Sequence, residues 1–527
     1  MTTTLFFNGT IRTVTEDTGV EWVMVEDDKI VGVHPSTDYV GNDPHSVGNW
    51  KRSDLPDADR RFDLQGATLV PAFRDAHVHL PATGLYELGL DFRGERSASR
   101  ILSAFEGRAA DSGVLFGGNF EDPLDEPLLG ADIDRAVGDR KALLMRADMH
   151  SCIVSSALLD ELDLADVEGV DRDADGRTTG YLREQGASEA YKWFETELPR
   201  AQQVEAIRAA VGKAYSRGIA EVHEMFVVEW RSWNSAEILQ EATDGVALDV
   251  AVFFGTTEVA RVKEMGLPRI GGDWFLDGSF GSHTAWLSEP YLSTPPAGST
   301  ATGIAYRDDD EVYEFFREAH AADLQVGVHA IGDAAIEQCI AAWERVAREV
   351  GDVSVIDKGH RIEHFECATD DHIARAARLR LHGSVQPAFD HYWGGENGLY
   401  SERMGWDRAS GMNRFASMLR GGMTLAAGSD STVTPLDPFL QMHSLRKHHV
   451  PSERLDPATA LALHTMGPAM VSAHRSKGPI QMGAQADLAV LDRDPITTDD
   501  DELLKTEVLG TWIAGRRVWP PDVAEVG

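Results

Sequence analysis

The chain has 527 residues, 43% of them hydrophobic and 8% aromatic, and 86 Asp and Glu against 49 Lys and Arg give a net charge of −37. A chain of this length exceeds one ordinary hydrophobic core, so we expect two or three domains. The apolar content excludes a mainly disordered protein. The negative charge excludes nucleic acid as an expected partner, because a polyanion is bound by basic surfaces.

The basic residues are mostly arginines, since only about ten of the 49 are lysines. An acidic surface that avoids lysine stays hydrated at high salt, where charge repulsion is screened. We therefore expect a cytoplasmic protein of a halophilic organism. The N-terminus lacks the basic and apolar segments of a signal peptide, and no apolar run reaches 18 residues, so no membrane contact is expected.

Both ends of the chain contain short strands and turns. Asn8-Gly9 predicts a hairpin, residues 22–33 predict two strands about a turn, and residues 508–519 predict a hairpin around Ala514-Gly515. Neither end has enough strands to be stable alone. We therefore predict one composite β-sandwich domain built from residues 1–70 and 477–527.

The middle of the chain, residues 71–476, contains eight apolar runs that each finish on polar residues. The first ends at His77-Val-His79, and the others are 219–224, 248–254, 273–277, 324–329, 360–364, 381–386 and 423–430. Stretches with helical spacing intervene. Eight such units predict an α/β fold of the (β/α)₈ TIM-barrel type, whose active site lies at the C-terminal strand ends. The interval between the first two strands is too long for a βα connection, so residues from about 84 to 200 are an expected inserted subdomain over the barrel mouth.

Five polar residues fall at these strand ends: His77, His79, His329, His364 and Asp430. His77 and His79 share one face of a strand, because side chains two residues apart point the same way. Imidazoles and a carboxylate that converge in this way suit zinc or a similar divalent ion, which lowers the pKa of a water to roughly 7. Asp430 and His329 are the candidate catalytic residues. Asp430 would move the proton, and a histidine together with the metal would stabilise the oxyanion.

Several longer segments carry a resemblance to a known family. They are residues 71–79, 277–285, 328–333, 361–364, 384–387, 428–430 and 483–492. The chain resembles the metal-dependent amidohydrolase superfamily, and within it the amidohydrolase-3 family, which includes N-substituted formamide deformylases. The resemblance implies that the five residues above form a metal site and that the β-sandwich combines both termini. It also implies a small-molecule substrate and a possible homodimer.

Two positions depart from the family pattern. Where relatives often carry a lysine that bridges two metal ions, this chain has Asp273, whose side chain is shorter by several bonds. Asp273 could bridge two ions, bind one, or only accept hydrogen bonds, and Glu184 is another candidate carboxylate. We therefore expect one tightly held ion rather than two. The second departure is His283, where relatives often have arginine.

Four further residues are candidates for substrate contact: His150, Glu224, His283 and Gln386. The predicted function is hydrolysis of a carbon–nitrogen bond other than a peptide bond, with an N-substituted amide as the substrate. Two alternatives remain open at this point. One is a deaminase of the same superfamily, and the other is a non-catalytic metal-binding relative.

Overall fold

The structure is a computed structural model that describes residues 1–15, 19–35, 55–110, 113–165, 167–228, 231–295, 300–472 and 477–521. Residues 36–54 and 522–527 of the predicted end domain lie outside the described residues. In chain order the strands are β1 Thr3–Phe7, β2 Thr10–Ile11, β3 Val20–Glu26, β4 Lys29–Pro35, β5 Arg60–Asp63, β6 Thr68–Pro71, β7 Phe73–Val78, β8 Leu90–Asp91, β9 Leu115–Phe120, β10 Ala142–Arg146, β11 Ser151–Val154, β12 Val170–Arg172, β13 Thr178–Arg183, β14 Ile219–Val227, β15 Asp249–Gly255, β16 Arg269–Phe275, β17 Gln325–Ala330, β18 Arg361–His364, β19 His382–Val385, β20 Leu425–Ala427, β21 Leu488–Leu491, β22 Val508–Ile513 and β23 Arg516–Trp519.

The helices lie mainly between the strands of the central part of the chain. They are α1 Leu80–Leu88, α2 Ala98–Arg108, α3 Gly130–Val137, α4 Ser156–Leu159, α5 Gln185–Glu197, α6 Arg200–Ser216, α7 Trp233–Thr243, α8 Val259–Glu264, α9 Asp309–Ala321, α10 Asp333–Val350, α11 Asp352–Lys358, α12 Asp370–Arg378, α13 Pro387–Trp393, α14 Leu399–Met404, α15 Trp406–Ala409, α16 Phe415–Arg420, α17 Pro438–Lys447, α18 Pro457–Leu463, α19 Met466–Val471 and α20 Asp500–Leu503, with a 3₁₀ turn at Pro451–Glu453.

Eight parallel strands form the centre of the molecule, and each overlaps one of the eight predicted runs. β7, β14 and β15 pair as one group, and β16 to β20 pair in chain order as a second. The last strand returns to the first, because Val78 bridges Ser431 and the Asp430 amide donates to the His77 carbonyl over 2.8 Å. The arrangement is consistent with a TIM-barrel-type fold.

The fourth of these strands, β16, begins earlier than the sequence predicted, at Arg269 rather than at Asp273. Gly271 and Gly272 have φ of +92° and +66°, and the register with β17 shifts after Gly271. A Cβ on Gly271 would lie 2.0 Å from the Gly327 carbonyl oxygen, so only glycine fits there. The glycine pair, which resembles a turn in the sequence, is a bulge within the strand that leads into Asp273.

Strands from the two chain ends pair with each other. One sheet has the order β2-β6-β21-β22-β23, and a second has the order β4-β3-β1-β5. A bridge between Lys29 and Gln485 links the two sheets, and one buried apolar cluster takes side chains from both ends of the chain. The predicted hairpin at Ala514-Gly515 is present between β22 and β23.

The predicted hairpin at Asn8-Gly9 is wrong. Asn8 is left-handed, with φ of 64°, so the chain does turn sharply there. However, β1 pairs with β3 and β5, whereas β2 pairs with β6 in the other sheet. The dipeptide therefore passes the chain from one sheet to the next, and Gly9 is required because a Cβ would lie 2.3 Å from the Ala67 carbonyl oxygen.

The residues between the first two central strands form a separate layer. A six-stranded sheet with the order β12-β13-β11-β10-β9-β8 packs with α1 to α5 around two apolar clusters of its own. Residues 146–150, between β10 and β11, line the same cavity as the ends of the central strands. The intervening segment therefore contributes side chains above the predicted site.

Candidate metal centre

Six buried side chains meet where the central strands end. They are the five predicted residues and the residue in the family's lysine position: His77, His79, Asp273, His329, His364 and Asp430. β7 delivers His77 and His79, β16 delivers Asp273, β17 and β18 each deliver one histidine, and Asp430 follows β20. Their placement follows from the parallel arrangement, because the C-terminal ends of parallel strands lie on one side.

The first group of candidate ligands joins the strand-one histidines to two carboxylates. His79 Nε2 lies 3.0 Å from Asp273 Oδ2 and 3.1 Å from Asp430 Oδ1. His77 Nε2 lies 3.3 Å and 3.4 Å from the same two oxygens. Two imidazole nitrogens and two carboxylate oxygens therefore surround one point, which is the donor set that zinc and similar ions take.

The second group shares Asp273 with the first. Asp273 Oδ1 lies 3.6 Å from His364 Nε2 and 3.8 Å from His329 Nδ1. All three atoms are buried and have no hydrogen-bond partner among the residues that the structure describes. A buried polar atom without a partner costs free energy, so three of them aimed at one point indicate a ligand that satisfies all three. A divalent cation fits this donor set.

In each of the four imidazoles, the ring nitrogen that faces away from the ligand groups has an oxygen atom within hydrogen-bond distance. His77 Nδ1 lies 3.0 Å from Glu363 Oε2, and His79 Nδ1 lies 2.8 Å from the Met225 carbonyl oxygen. His364 Nδ1 lies 2.8 Å from Gln386 Oε1, and His329 Nε2 lies 3.2 Å from the Gly278 carbonyl oxygen. Each acceptor fixes the proton on the outer nitrogen and leaves the inner one as a lone-pair donor, as in metal sites.

The carboxylates and imidazoles of the first group shift each other's pKa. Burial alone would raise the pKa of Asp273, but the imidazoles, with His77 first, lower it well below its ordinary value. Burial alone would lower the pKa of His79, but hydrogen bonds to Asp273 and Asp430 raise it to about 9. The site therefore favours positive charge at its centre, which a proton or a divalent cation can supply.

Two of the six residues have a strained backbone. His364 has φ of 69° and Asp430 has φ of 53°, in the left-handed region that glycine usually occupies. Such conformations cost roughly 1–3 kcal/mol each and cluster at functional sites. The strain places both side chains at the ends of their strands, where they face Asp273 and His79 respectively.

A cavity of about 400 Å³ opens above the six residues, and all of them except His77 line it. The intervening segment contributes Arg146, Asp148 and His150 to the wall, and helix α13 contributes the aromatic side chains Phe389 and Trp393. The wall therefore combines aromatic and charged side chains, and a concave site of this size is suited to a small molecule.

His150 and Glu184 lie together in the described structure, outside the two groups of candidate ligands. His150 lines the cavity, and its Nδ1 lies 3.0 Å from Glu184 Oε2. Burial lowers the pKa of His150, but the charge and hydrogen bond of Glu184, together with the charges of Asp148 and Asp273, outweigh burial and raise the pKa to about 9. Within the described chain, neither group of candidate ligands includes Glu184.

The other three predicted substrate contacts lie outside the set of described residues that line the cavity. Gln386 lies behind His364, as given above. Glu224 accepts a hydrogen bond from the Leu80 amide over 2.6 Å, next to His79. His283 Nε2 lies 2.9 Å from Ser293 Oγ, a contact within the connection between β16 and α9. In the structure each of the three therefore makes a hydrogen-bond contact with another part of the chain and does not line the described cavity.

Two residues that sequence reasoning missed are Glu363 and Tyr306. Glu363 holds His77 and also accepts two hydrogen bonds from Arg361, both at less than 3 Å. Tyr306 donates to Glu184 over 2.6 Å. The sequence did contain an indication of the role of Glu363, because Arg361 and Glu363 are charged residues in a short apolar run, and buried charges need partners. No sequence pattern indicated Tyr306, because its contact with Glu184 depends on the path of the connection between β16 and α9.

Comparisons with known proteins identify the family of the chain. The family model described as "Amidohydrolase family" matches residues 60–519. YtcJ of Bacillus subtilis (strain 168), whose name assigns it to the amidohydrolases, is 28% identical over 493 residues, which is 87% of this chain and 90% of the relative. An N-substituted formamide deformylase of Arthrobacter pascens is 23% identical over 560 residues, and the match covers 97% of each chain.

A solved structure is also similar. The crystal structure of an uncharacterized metal-dependent hydrolase from Pyrococcus furiosus shares 26% sequence identity at a TM-score of 0.72, over 94% of this chain and 100% of that one. Among the described residues, no helix is long and apolar enough to cross a membrane. Because the family model spans most of the sequence, the chain belongs to the amidohydrolase family and is a hydrolase of that family.

Proposed function

We propose that the protein is a metal-dependent hydrolase that cleaves a carbon–nitrogen bond other than a peptide bond, in an N-substituted amide. The observation that carries the proposal is the pair of ligand groups that share Asp273 beneath a cavity of about 400 Å³. The unpartnered atoms of Asp273, His329 and His364 support a cation at that place. The named activity of the deformylase relative supports the choice of an N-substituted amide.

Two divalent ions, which we take to be zinc, fit the donor set better than the single ion that the sequence favoured. His77, His79, Asp273 and Asp430 would hold one, and Asp273, His329 and His364 would hold the other. Asp273 has one oxygen toward each group, so its short side chain still serves both. When bound, such ions activate water and polarise a carbonyl group.

A carboxylate of this chain supplies the proton transfers. Asp430 is buried and lines the cavity, and one of its two carboxylate oxygens, Oδ1, lies 3.1 Å from His79 Nε2. It accepts a proton from the attacking water and returns it to the leaving nitrogen.

We also propose the finer domain division. The central strands of residues 71–476 make a (β/α)₈ barrel, and the strands of 1–70 and 477–527 make one composite β-sandwich domain. The segment from about 84 to 200 covers the barrel mouth. The strand pairings between the two chain ends and the cavity lining from residues 146–150 support this division. The acidic, lysine-poor composition supports a halophilic origin.

The test is turnover by zinc-loaded protein of p-nitroformanilide, p-nitroacetanilide and, as a peptide-bond control, an alanyl p-nitroanilide. We expect release of p-nitroaniline from an N-acyl anilide and none from the alanyl compound. Asp430→Asn should lower kcat by at least about 10²-fold, and Glu453→Gln, a buried carboxylate that accepts from Ser417, should not. Ammonia release from ring amines without amide cleavage would indicate a deaminase, and activity independent of Asp430 would refute the proposal.

A further inference from the structure

A histidine, a glutamate and a tyrosine form a connected triad in the wall of the cavity. His150 Nδ1 lies 3.0 Å from Glu184 Oε2, and the Tyr306 hydroxyl donates to the same oxygen over 2.6 Å. The Glu184 amide also donates to the His150 carbonyl oxygen over 2.7 Å. His150 and Glu184 come from the intervening segment, whereas Tyr306 precedes α9, so the triad joins two parts of the fold.

The backbone on both sides of this contact is strained. Met149, immediately before His150, has φ of 60°, and Glu184 has φ of 43°. Neither residue is glycine, and a left-handed conformation costs each of them free energy. The His150 amide also donates to Asp148 Oδ1 over 3.1 Å. A simple tie between two segments does not need two strained residues, so the strain favours a precise position for the imidazole.

The triad faces the proposed reaction centre. His150 lines the cavity together with Asp273, His329 and Asp430. Its ring is 5.9 Å from the Phe275 ring, which is 4.6 Å from the His329 ring. His150 and a histidine of the second ligand group therefore lie near the same aromatic side chain. Since Nδ1 is committed to Glu184, any contact of this imidazole with a substrate uses Nε2.

We propose that His150 is a further catalytic residue, which carries a proton on both ring nitrogens and donates a hydrogen bond from Nε2 to the substrate carbonyl oxygen as that oxygen gains negative charge. The Glu184 carboxylate, 3.0 Å from Nδ1, favours this doubly protonated form. Glu184 and Tyr306 are positioning residues that keep the imidazole in place and its Nδ1 protonated. The inference rests on the proposed function, because it concerns the same reacting carbonyl. Donors fixed in a water-poor cavity are worth more than in water, and loss of one oxyanion donor typically costs about 10²–10³-fold in kcat.

The experiment compares zinc-loaded His150→Gln, Glu184→Gln and Tyr306→Phe with wild type on p-nitroformanilide. We expect His150→Gln to lose about 10²-fold in kcat with little change in KM, and the other two variants to lose less. Zinc content and thermal midpoint should stay at wild-type values. His150→Gly should regain activity when free imidazole is added. The control His443→Gln removes a buried imidazole beside Asp501, outside the described cavity lining, and should leave kcat unchanged.

A merely structural triad would give a different result. In that case His150→Gln would lower the thermal midpoint or zinc content, keep kcat per folded protein, and show no rescue by imidazole. This outcome would overturn the inference while leaving the proposed function intact.

If wild type cleaves none of the anilides, the proposed function fails, and a second measurement still decides the inference. Zinc-loaded protein labelled with ¹⁵N-histidine is titrated with the small amide N-methylacetamide, and the His150 signals are assigned by their loss in His150→Gln. A saturable shift of the His150 Nε2 signal, with Nδ1 unchanged, is expected. If the chemical shift of the His150 Nε2 signal does not change on addition of the amide, the proposed contact is refuted.

Discussion

The support behind His364 offers a prediction that separates the two ligand groups. Gln386 Oε1 accepts from His364 Nδ1 over 2.8 Å, and the glutamine is buried. Gln386→Met keeps the volume but removes the acceptor. His364 belongs to only one group, so the variant should weaken one bound ion and leave the other as in wild type.

The expected size follows from that contact. Loss of an outer partner typically lowers metal affinity by about 10–100-fold, which is about 1.4–2.8 kcal/mol. The His364 N–H would also lose its acceptor in a buried place, which should lower the free energy of unfolding by about 1–3 kcal/mol.

Zinc competition with a chromophoric chelator measures both affinities, and thermal unfolding of the metal-free protein measures stability. Gln325→Met is a matched control, because Gln325 is a buried glutamine at the opposite end of β17 with two carbonyl acceptors. It should lose stability but bind both ions normally. Two unchanged zinc affinities in Gln386→Met, or an equal loss of both, would refute the assignment of His364 to one group.

Three further predictions concern metal count, pH and salt. Asp273→Asn removes the carboxylate shared by both groups, so zinc content by elemental analysis should fall from two ions to one or none; two retained ions would contradict the shared role. Burial, with Arg361 nearby, lowers the pKa of His223 from 6.5 to about 4. Between these two pH values the unfolded chain binds a proton at His223 and the folded chain does not. The free energy of unfolding should therefore fall as the pH is lowered from about 6.5 to 4, by up to about 1.4 kcal/mol per pH unit for this residue. Chemical unfolding at several pH values should show a smaller slope for His223→Gln. With a net charge of −37, the thermal midpoint should rise steadily with KCl as repulsion is screened; a midpoint independent of salt would contradict the halophilic origin.

The sequence located the inner residues of the site well. His77 and His79 alternate on a strand, and the eight apolar runs place His329, His364 and Asp430 at neighbouring strand ends. These positions depend on strand periodicity and chain order, which are local properties of the sequence. The structure accordingly brings all five residues together.

The supports of the site could not be predicted in the same way. Which acceptor lies behind each imidazole depends on contacts across strands, such as that of Glu363 with His77. The position of Asp273 depends on a bulge at Gly271 and Gly272. In the sequence, two adjacent glycines could equally indicate a turn, so the bulge could not be predicted. Similarly, the turn at Asn8 could not reveal that its two strands belong to different sheets. Tertiary pairing decides each of these cases.

Zinc titration into metal-free protein, with hydrolysis of an N-acyl anilide as the readout, tests the central claim most directly. The account predicts no turnover without metal and a rise that saturates at two ions per chain, because two groups share Asp273. Asp273→Asn should not recover wild-type turnover at any zinc concentration. Full turnover by the metal-free protein would contradict the account.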